Sequence, residues 1–428
     1  MEEVRPPVAP SGGGDVTSAA RRTPALLAGY WAFGQFWGVW VIVIAGLNEQ
    51  RDLTYSQNGQ LLTALSLTAV VVMAFIAPRL GGYPLGTIVP VSLLTLAAGS
   101  FAMAFMPGAN LWIAFAVVGA GNGLIDVFMN VDAQRVEVAT RRPVLQWLHA
   151  SYAAGGVTGA AAGGLLIGTF DLDFRAGFVY AAAALIIAAA MNGIVGTRDV
   201  GEEAGEALRF SLSAFRRHRG LWVVAMVVLF AFLVEGSMDT WSGLYMQEQL
   251  DATAGQAALA FAAFSASLFL GRMFAGRVLF GLGRRATILI AGVGAAVGGG
   301  IAAATDSTLV VGLAFLVMGF SIAAAAPAAF GLVEEIAPTD QTNAIAAITT
   351  VGYSGFVWSP PIFGWLADTF DLRTAMAVIV SSTLGIIIAG ILATPSRLGS
   401  RTSAGATSAG ATPAGRAPSS SSPGAPPV

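Results

Sequence analysis

The sequence predicts an all-α membrane protein: twelve transmembrane helices in two pseudo-symmetric six-helix bundles. Three observations predict it. Of the 428 residues, 55% are hydrophobic and only 11% are charged, with a mean hydropathy of +0.72, whereas an ordinary soluble domain is about 25% charged. Uninterrupted apolar runs of about 20 residues, the length a span needs, recur along the chain. The first half of the chain also resembles the second at an offset close to 200 residues.

The predicted spans are 25–47, 58–78, 84–106, 110–133, 145–168 and 175–196, then 220–246, 253–280, 286–304, 308–333, 342–368 and 373–394. Their runs are too long and too uniformly apolar for barrel strands, so helices are the remaining way to satisfy the backbone in lipid. Residues 1–24 are polar, without the apolar core of a cleavable signal, and predict a cytosolic tail. Residues 197–219 form a charged central loop that divides the spans six and six. Residues 395–428 are Ser/Ala/Gly/Pro low complexity and predict a disordered cytosolic tail.

Orientation follows from the arginines. The chain has no lysine, so all 22 basic residues are Arg. With both tails inside, the outer loops hold only Arg51, Arg175 and Arg373, and the other nineteen fall on the inner side. The positive-inside rule therefore puts both termini in the cytosol. The expected setting is a bacterial inner membrane, with a monomer embedded in lipid.

Composition excludes several functions. There is no cysteine, hence no disulfide or thiol chemistry, and the net charge of −2 points away from nucleic acid. A phosphate-binding Gly-x-x-x-x-Gly-Lys-Ser/Thr loop is impossible without lysine. No paired catalytic carboxylates with histidine on a loop, and no metal-ligand spacing, argue for an enzyme or a cofactor. The expected energy source is a proton gradient.

Polar residues inside spans carry the functional signal, because a charge at the bilayer centre costs about 2.5–3.5 kcal/mol on insertion scales. Asn122, Asp126 and Asn130 are spaced i, i+4, i+8 and share one helix face. We read that stripe as the wall of a passage, with Asp126 as the leading proton-coupling candidate. Glu235 and Asp239 form a second i, i+4 pair, Glu235 in the outer half of the bilayer and Asp239 near the outer interface. His149, the one histidine within a span, is positioned to relay protons to Asp126. Glu235 and His149 are further coupling candidates. Gln35, Asn122, Asn130, Asp239, Trp241, Tyr353 and Trp358 are candidates for contacting solute, the aromatics by stacking. Pro327, Pro360 and Pro361 predict bends in helices 10 and 11.

The internal repeat is visible in Ala114-Phe115-Ala-Val117-Val-Gly119 against Ala314-Phe315-Leu-Val317-Met-Gly319, and in Ser151-Tyr152 against Gly352-Tyr353. Parallel six-helix repeats are a transporter architecture with the solute site between the halves. The chain resembles the major facilitator superfamily over about residues 25–394. Gly271-Arg272-Met-Phe-Ala-Gly276-Arg277-Val-Leu-Phe-Gly-Leu-Gly283-Arg284-Arg285 is similar to that family's cytosolic gating loop, with Gly276 where Asp is usual. The N-half copy around Ala77-Pro-Arg79-Leu keeps only Arg79. The resemblance thus assigns Arg79, Gly271, Arg272, Arg277, Gly283, Arg284 and Arg285 to cytosolic gating. Within the family the chain looks most like the fucose-permease-like, sugar-type branch. The residues carrying this are Gly119 to Asn130, Arg142 to Gly156, Glu235 to Tyr245 and Gly352 to Pro361.

That resemblance implies a secondary active transporter working by alternating access, with proton-coupled movement of a small polar solute such as a sugar or metabolite. Two alternatives stand beside it. One is proton-driven efflux of drugs or metabolites, although Gly155-Gly156-Val-Thr-Gly159 lacks the proline of the antiporter motif. The other is a membrane sensor or partner subunit that does not transport.

Overall fold

The computed structural model describes residues 14–142, 144–201 and 213–393. The predicted tail 395–428, residues 1–13 of the other predicted tail and residues 202–212 of the central loop lie outside the described residues. Twelve helices of membrane-spanning length follow one another: α1 Gly14–Gln50, α2 Tyr55–Leu80, α3 Leu85–Phe105, α4 Leu111–Thr140, α5 Val144–Gly168, α6 Phe174–Val195, α7 Leu221–Gln249, α8 Ala254–Leu282, α9 Arg284–Ala304, α10 Thr308–Ile336, α11 Gln341–Thr369 and α12 Leu372–Leu392. Eleven of them are apolar enough to cross a membrane as well as long enough. The twelfth, α11, has the length at 29 residues, but its Thr, Tyr, Ser and Pro residues dilute its hydropathy. Large apolar side chains such as Trp112, Ile194 and Phe280 stand exposed on the outside of the bundle, the face that lipid covers.

The two halves repeat their packing. In the first, α1 packs on α5, α2 and α3 on α4, and α3 on α6; in the second, α7 packs on α11, α8 and α9 on α10, and α9 on α12. Glycine sets the closest of these contacts: a Cβ on Gly34 of α1 would lie 2.0 Å from the carbonyl oxygen of Tyr152 on α5. Local structure repeats too. Asp52-Leu-Thr54-Tyr-Ser-Gln57 and Asp251-Ala-Thr253-Ala-Gly-Gln256 place Asp52 and Asp251 at φ near +50° and close the same Thr/Gln capping box at the start of α2 and of α8. The box satisfies helix N–H groups that would otherwise be orphaned.

The start of α1 differs from expectation. Helix α1 begins at Gly14 and not at residue 25, so Arg22 does not belong to a tail. It is 2% exposed, donates through Nε to Asp132 Oδ2 at 2.8 Å and through NH1 to the Asn192 carbonyl at 2.8 Å. A second guanidinium nitrogen lies 2.6 Å from the same carboxylate oxygen. This pair ties α1, α4 and α6 together, which is why the polar N-terminal stretch continues as helix. Within the motif likened to a gating loop, α8 runs unbroken to Leu282, so Gly271, Arg272 and Arg277 lie within a helix, as the predicted span 253–280 has them. Arg272 is ten residues, or about 15 Å, from its end.

Candidate functional site

Contacts between the halves gather at one end. Tyr55 Oη donates to Glu248 at 2.6 Å, and the backbone N–H groups of Tyr55 and Ser56 donate to the two oxygens of Asp368 at 3.0 and 2.8 Å. These N–H groups open α2, so a carboxylate from α11 caps a helix of the other half and meets the positive end of its dipole. A Cβ on Gly364 would lie 2.3 Å from the Tyr55 carbonyl oxygen, so the backbones themselves touch there. This clamp sits at the end of the molecule where α1 turns into α2, opposite the end that bears the chain termini.

Between the clamp and the opposite end lies a central cavity of about 360 Å³, within the range of about 300–1,000 Å³ of small-molecule sites. Asn122, Asp126 and Asn130 all line it from α4, and Glu235 and Asp239 line it from α7. The i, i+4 spacing that puts each set on one helix face therefore turns both faces toward one space. His149, Tyr353 and Trp37 line the same space, as does Arg272.

The polar groups form two networks. In the first, Tyr30 Oη donates to Asn130 Oδ1 at 2.8 Å, and Asn130 Nδ2 donates to the Asp126 carbonyl oxygen at 2.6 Å and reaches its Oδ1 at 3.4 Å. Tyr353 Oη, from the other half, reaches Asp126 Oδ2 at 3.4 Å. The His149 ring packs edge-on against the Tyr30 ring at 5.7 Å, beside this network. In the second network, one guanidinium nitrogen of Arg272 donates to both oxygens of Glu235, at 2.7 and 2.8 Å. The Arg272 side chain is 49% exposed, but it lines the cavity and faces cavity space. Three carboxylates and one guanidinium thus share the site with His149.

Other candidates lie elsewhere. Asp239 belongs to the cavity and not to a solvated outer end. Gln35 is fully buried, donates to Thr158 at 2.6 Å and accepts from Tyr180 at 3.0 Å, so it joins α1, α5 and α6. Trp241 is fully buried and stacks on Phe363 at 4.8 Å, a packing role. Trp358 is 59% exposed on the outside of α11, because its position on the helix faces away from the cavity. None of these three lines the cavity. Arg272 lines the cavity although the resemblance assigned it to cytosolic gating; an arginine more than two turns inside an apolar helix was the signal for it.

The remaining loop residues stay at the termini-bearing end and bind within one half. Arg284 pairs with Glu334 and Glu335 at the end of α10, and Arg285 donates to the Gly390 and Ile391 carbonyls that close α12. Gly283, at φ +77°, makes the turn between α8 and α9. Arg79 folds back on the Phe75 carbonyl, and Arg277 lies over the Phe274 ring at 5.6 Å. Gly271 lets α8 approach α10, where a Cβ would fall 2.6 Å from the Phe320 carbonyl oxygen. At the same end, Asp340 accepts from Arg217 at 2.6 Å and from Asn343 Nδ2 at 2.7 Å; the Asn343 hydrogen bond, then that of Arg217, hold this carboxyl below its ordinary range.

Comparison with known proteins now bears on these observations. Residues 25–360 match the model of the Major Facilitator Superfamily. An uncharacterised MFS-type transporter of Yersinia pestis is 30% identical over 275 residues, 63% of this chain and 69% of that protein. An uncharacterised transporter of Sinorhizobium fredii is 24% identical over 372 residues, 85% of this chain and 96% of that one. Among solved structures, the nucleoside transporter NupG superposes with a TM-score of 0.69 at 12% identity, covering 86% of this chain and 98% of that one. A bacterial homologue of the human lysosomal transporter Spinster, inward-facing and unoccupied, gives 0.66 at 14% identity, covering 87% and 96%. These structural likenesses establish the fold alone. The chain belongs to the Major Facilitator Superfamily and is a multi-pass secondary transporter of the membrane.

Proposed function

We propose that the protein moves a small polar solute by alternating access, coupled to protons through Asp126, and that the described conformation faces inward. The observation that carries the proposal is the contact between Tyr353 and Asp126. It joins α11 of one half to α4 of the other inside the cavity, at 3.4 Å, longer than a good hydroxyl–carboxylate bond. Protonating Asp126 changes what it can accept from Tyr353. A proton therefore acts directly on a link between the two rocking bodies. Tyr30 and Asn130 hydrogen-bond in turn toward that residue, and His149 packs against the Tyr30 ring.

The outer clamp supports the inward-facing reading, together with an arginine distribution that favours cytosolic termini; the membrane we propose is a bacterial inner membrane. Glu235, held by Arg272, is the second candidate for coupling. The solute preference implied by the fucose-permease-like resemblance is a neutral sugar-like molecule. The fold is self-sufficient as a monomer.

The test is a pH jump in proteoliposomes loaded with a pH dye, screening sugars and small metabolites. Solute-triggered proton flux in the wild type that is lost in Asp126→Asn supports coupling at Asp126. Flux that survives the substitution moves coupling to Glu235 or His149. Solute counterflow with no proton flux in either protein refutes proton coupling.

A further inference from the structure

The central cavity holds polar groups of two kinds. Asp126, Asn130 and Glu235 already have partners in Tyr353, Tyr30 and Arg272. Tyr152 of α5 and Asp239 of α7 line the same space. Among the described residues, neither the Tyr152 hydroxyl nor the Asp239 carboxylate makes a hydrogen bond. We propose that these two residues hold the solute between them, Asp239 accepting from one of its hydroxyls and Tyr152 donating to another of its oxygens. The proposal rests on the transporter reading above and deepens it: the solute is a neutral molecule with at least two hydroxyl groups.

Both polar ends are open to an incoming molecule. The two side chains are half-buried, and neither the hydroxyl nor the carboxylate is among the polar atoms sealed from solvent. The rest of Tyr152 is fixed. Its ring packs on Phe33 at 5.2 Å, and its backbone carbonyl is pressed against Gly34 of α1. The hydroxyl is therefore the part of Tyr152 left for another molecule. Of the charges around that hydroxyl, Asp239 acts on it most strongly, ahead of Glu235, Arg272 and Asp126. Asp239 belongs to the other half.

The internal repeat gives independent support. Ser151-Tyr152 in α5 stands where Gly352-Tyr353 stands in α11. Tyr353 reaches across the halves to a carboxylate, Asp126, at 3.4 Å. Tyr152 likewise feels a carboxylate of the other half, but no bond joins the two. One tyrosine makes its link directly, and the solute completes the link of the other.

Donor and acceptor types set the solute class. An ionised carboxylate only accepts, so the solute brings a hydroxyl hydrogen to Asp239; a phenol donates, so the solute brings an oxygen to Tyr152. Arg272 acts on both Glu235 and Asp239, so no spare positive charge awaits an anion. Trp37 and Phe356 add apolar wall for the carbon skeleton. A solute held this way touches both halves, so its affinity differs between the two conformations and its arrival shifts them.

The experiment uses the full chain in lipid nanodiscs and isothermal titration calorimetry. The probes are glucose, fucose, mannitol and inositol, of which at least one is expected to bind. That polyol is then compared with analogues in which fluorine replaces one hydroxyl at a time, since fluorine cannot donate and accepts weakly. Two positions should each lose about ten-fold in affinity, the effect of a single hydrogen bond. In Asp239→Leu one of those penalties should shrink below about two-fold, and in Tyr152→Phe the other should. Each variant should keep the penalty that belongs to its partner. A purely structural role would instead weaken every analogue alike. Elution profiles and melting curves check that both variants are folded. Failure of all four polyols to bind, uniform weakening, or penalties that survive both variants overturns the proposal. Solute-triggered proton flux abolished by Asp126→Asn, with penalties untouched by either variant, overturns this site and leaves the transporter reading standing. Variant-dependent penalties without transport of that polyol do the reverse.

Discussion

Asp368→Ala should unlatch the outer end. The wild-type carboxylate accepts from two backbone N–H groups of α2, at 3.0 and 2.8 Å. Hydrogen bonds to a charged group contribute about 1.5–3 kcal/mol each. Asp368 is exposed, so screening and side-chain entropy reduce the pair to about 1.5 kcal/mol in all. Because the bonds join the two halves, that free energy belongs to the closed outer gate and is absent from the open one. Removing it should raise the ratio of outward-open to outward-closed molecules about ten-fold. The absence of cysteine from the chain makes the assay direct. Spin labels on Ala109→Cys, in the α3–α4 turn, and Ala304→Cys, at the outer end of α9, report the separation of the halves by double electron–electron resonance in nanodiscs. The long-distance population should grow by that factor in Asp368→Ala. A population ratio unchanged within about two-fold, below 0.5 kcal/mol, would refute the assignment of the clamp.

Further outcomes follow from the same geometry. Asp132→Asn leaves Arg22 charged and buried, which typically costs about 3–5 kcal/mol; the melting temperature in detergent should fall well below that of Arg22→Met/Asp132→Leu, which removes both charges. Gly34→Val should fail to yield a folded, monodisperse protein, since even a Cβ would meet the Tyr152 carbonyl oxygen at 2.0 Å; Gly276, with open space around it, should accept Ala without loss. Glu235→Gln should impair transport more than Glu235→Gln/Arg272→Gln, as the double variant leaves no unpaired guanidinium in the cavity, and solute uptake by the two measures this. Asp340 has its carboxyl held low in the folded state, so its contribution is present above the unfolded-chain value of about 3.9 and lost as pH falls through the folded one. The melting difference between wild type and Asp340→Asn should thus be constant from neutral pH to about pH 5 and shrink below about pH 4.

The architecture was legible because lipid forces it. Twelve apolar runs can become little else than helices, and the polar stripe of Asn122, Asp126 and Asn130 had to face a cavity because hydrocarbon would not have it. The partners of these residues were not legible. That Tyr353 meets Asp126 depends on how far one half leans on the other, which no local pattern encodes. The place of Arg272 on the cavity wall was not legible from its motif, whose resemblance pointed to the cytosolic end. Trp241 and Trp358 show the limit of composition: both are aromatic and flanked by small residues, yet one is sealed against Phe363 and the other points outward. The paired Asp-x-Thr-x-x-Gln turns at residues 52–57 and 251–256 were a sharper mark of the repeat than the Ala-rich matches.

Two ion pairs, Arg22–Asp132 in the first half and Glu235–Arg272 in the second, each join helices within the bundle, and they differ in who can reach them. Arg22 and Asp132 each keep 3% side-chain exposure, so neither water nor cargo negotiates with them, and the first bundle turns as one piece. Glu235 and Arg272 stand on the cavity wall, where any visitor can bid for either charge. The division is that of a rivet and a latch: the first pair fixes helices to one another, and the second offers its charges to whatever enters the cavity. Variation in what the protein carries should therefore accumulate on α7 and α8, while the contacts among α1, α4 and α6 tolerate little change.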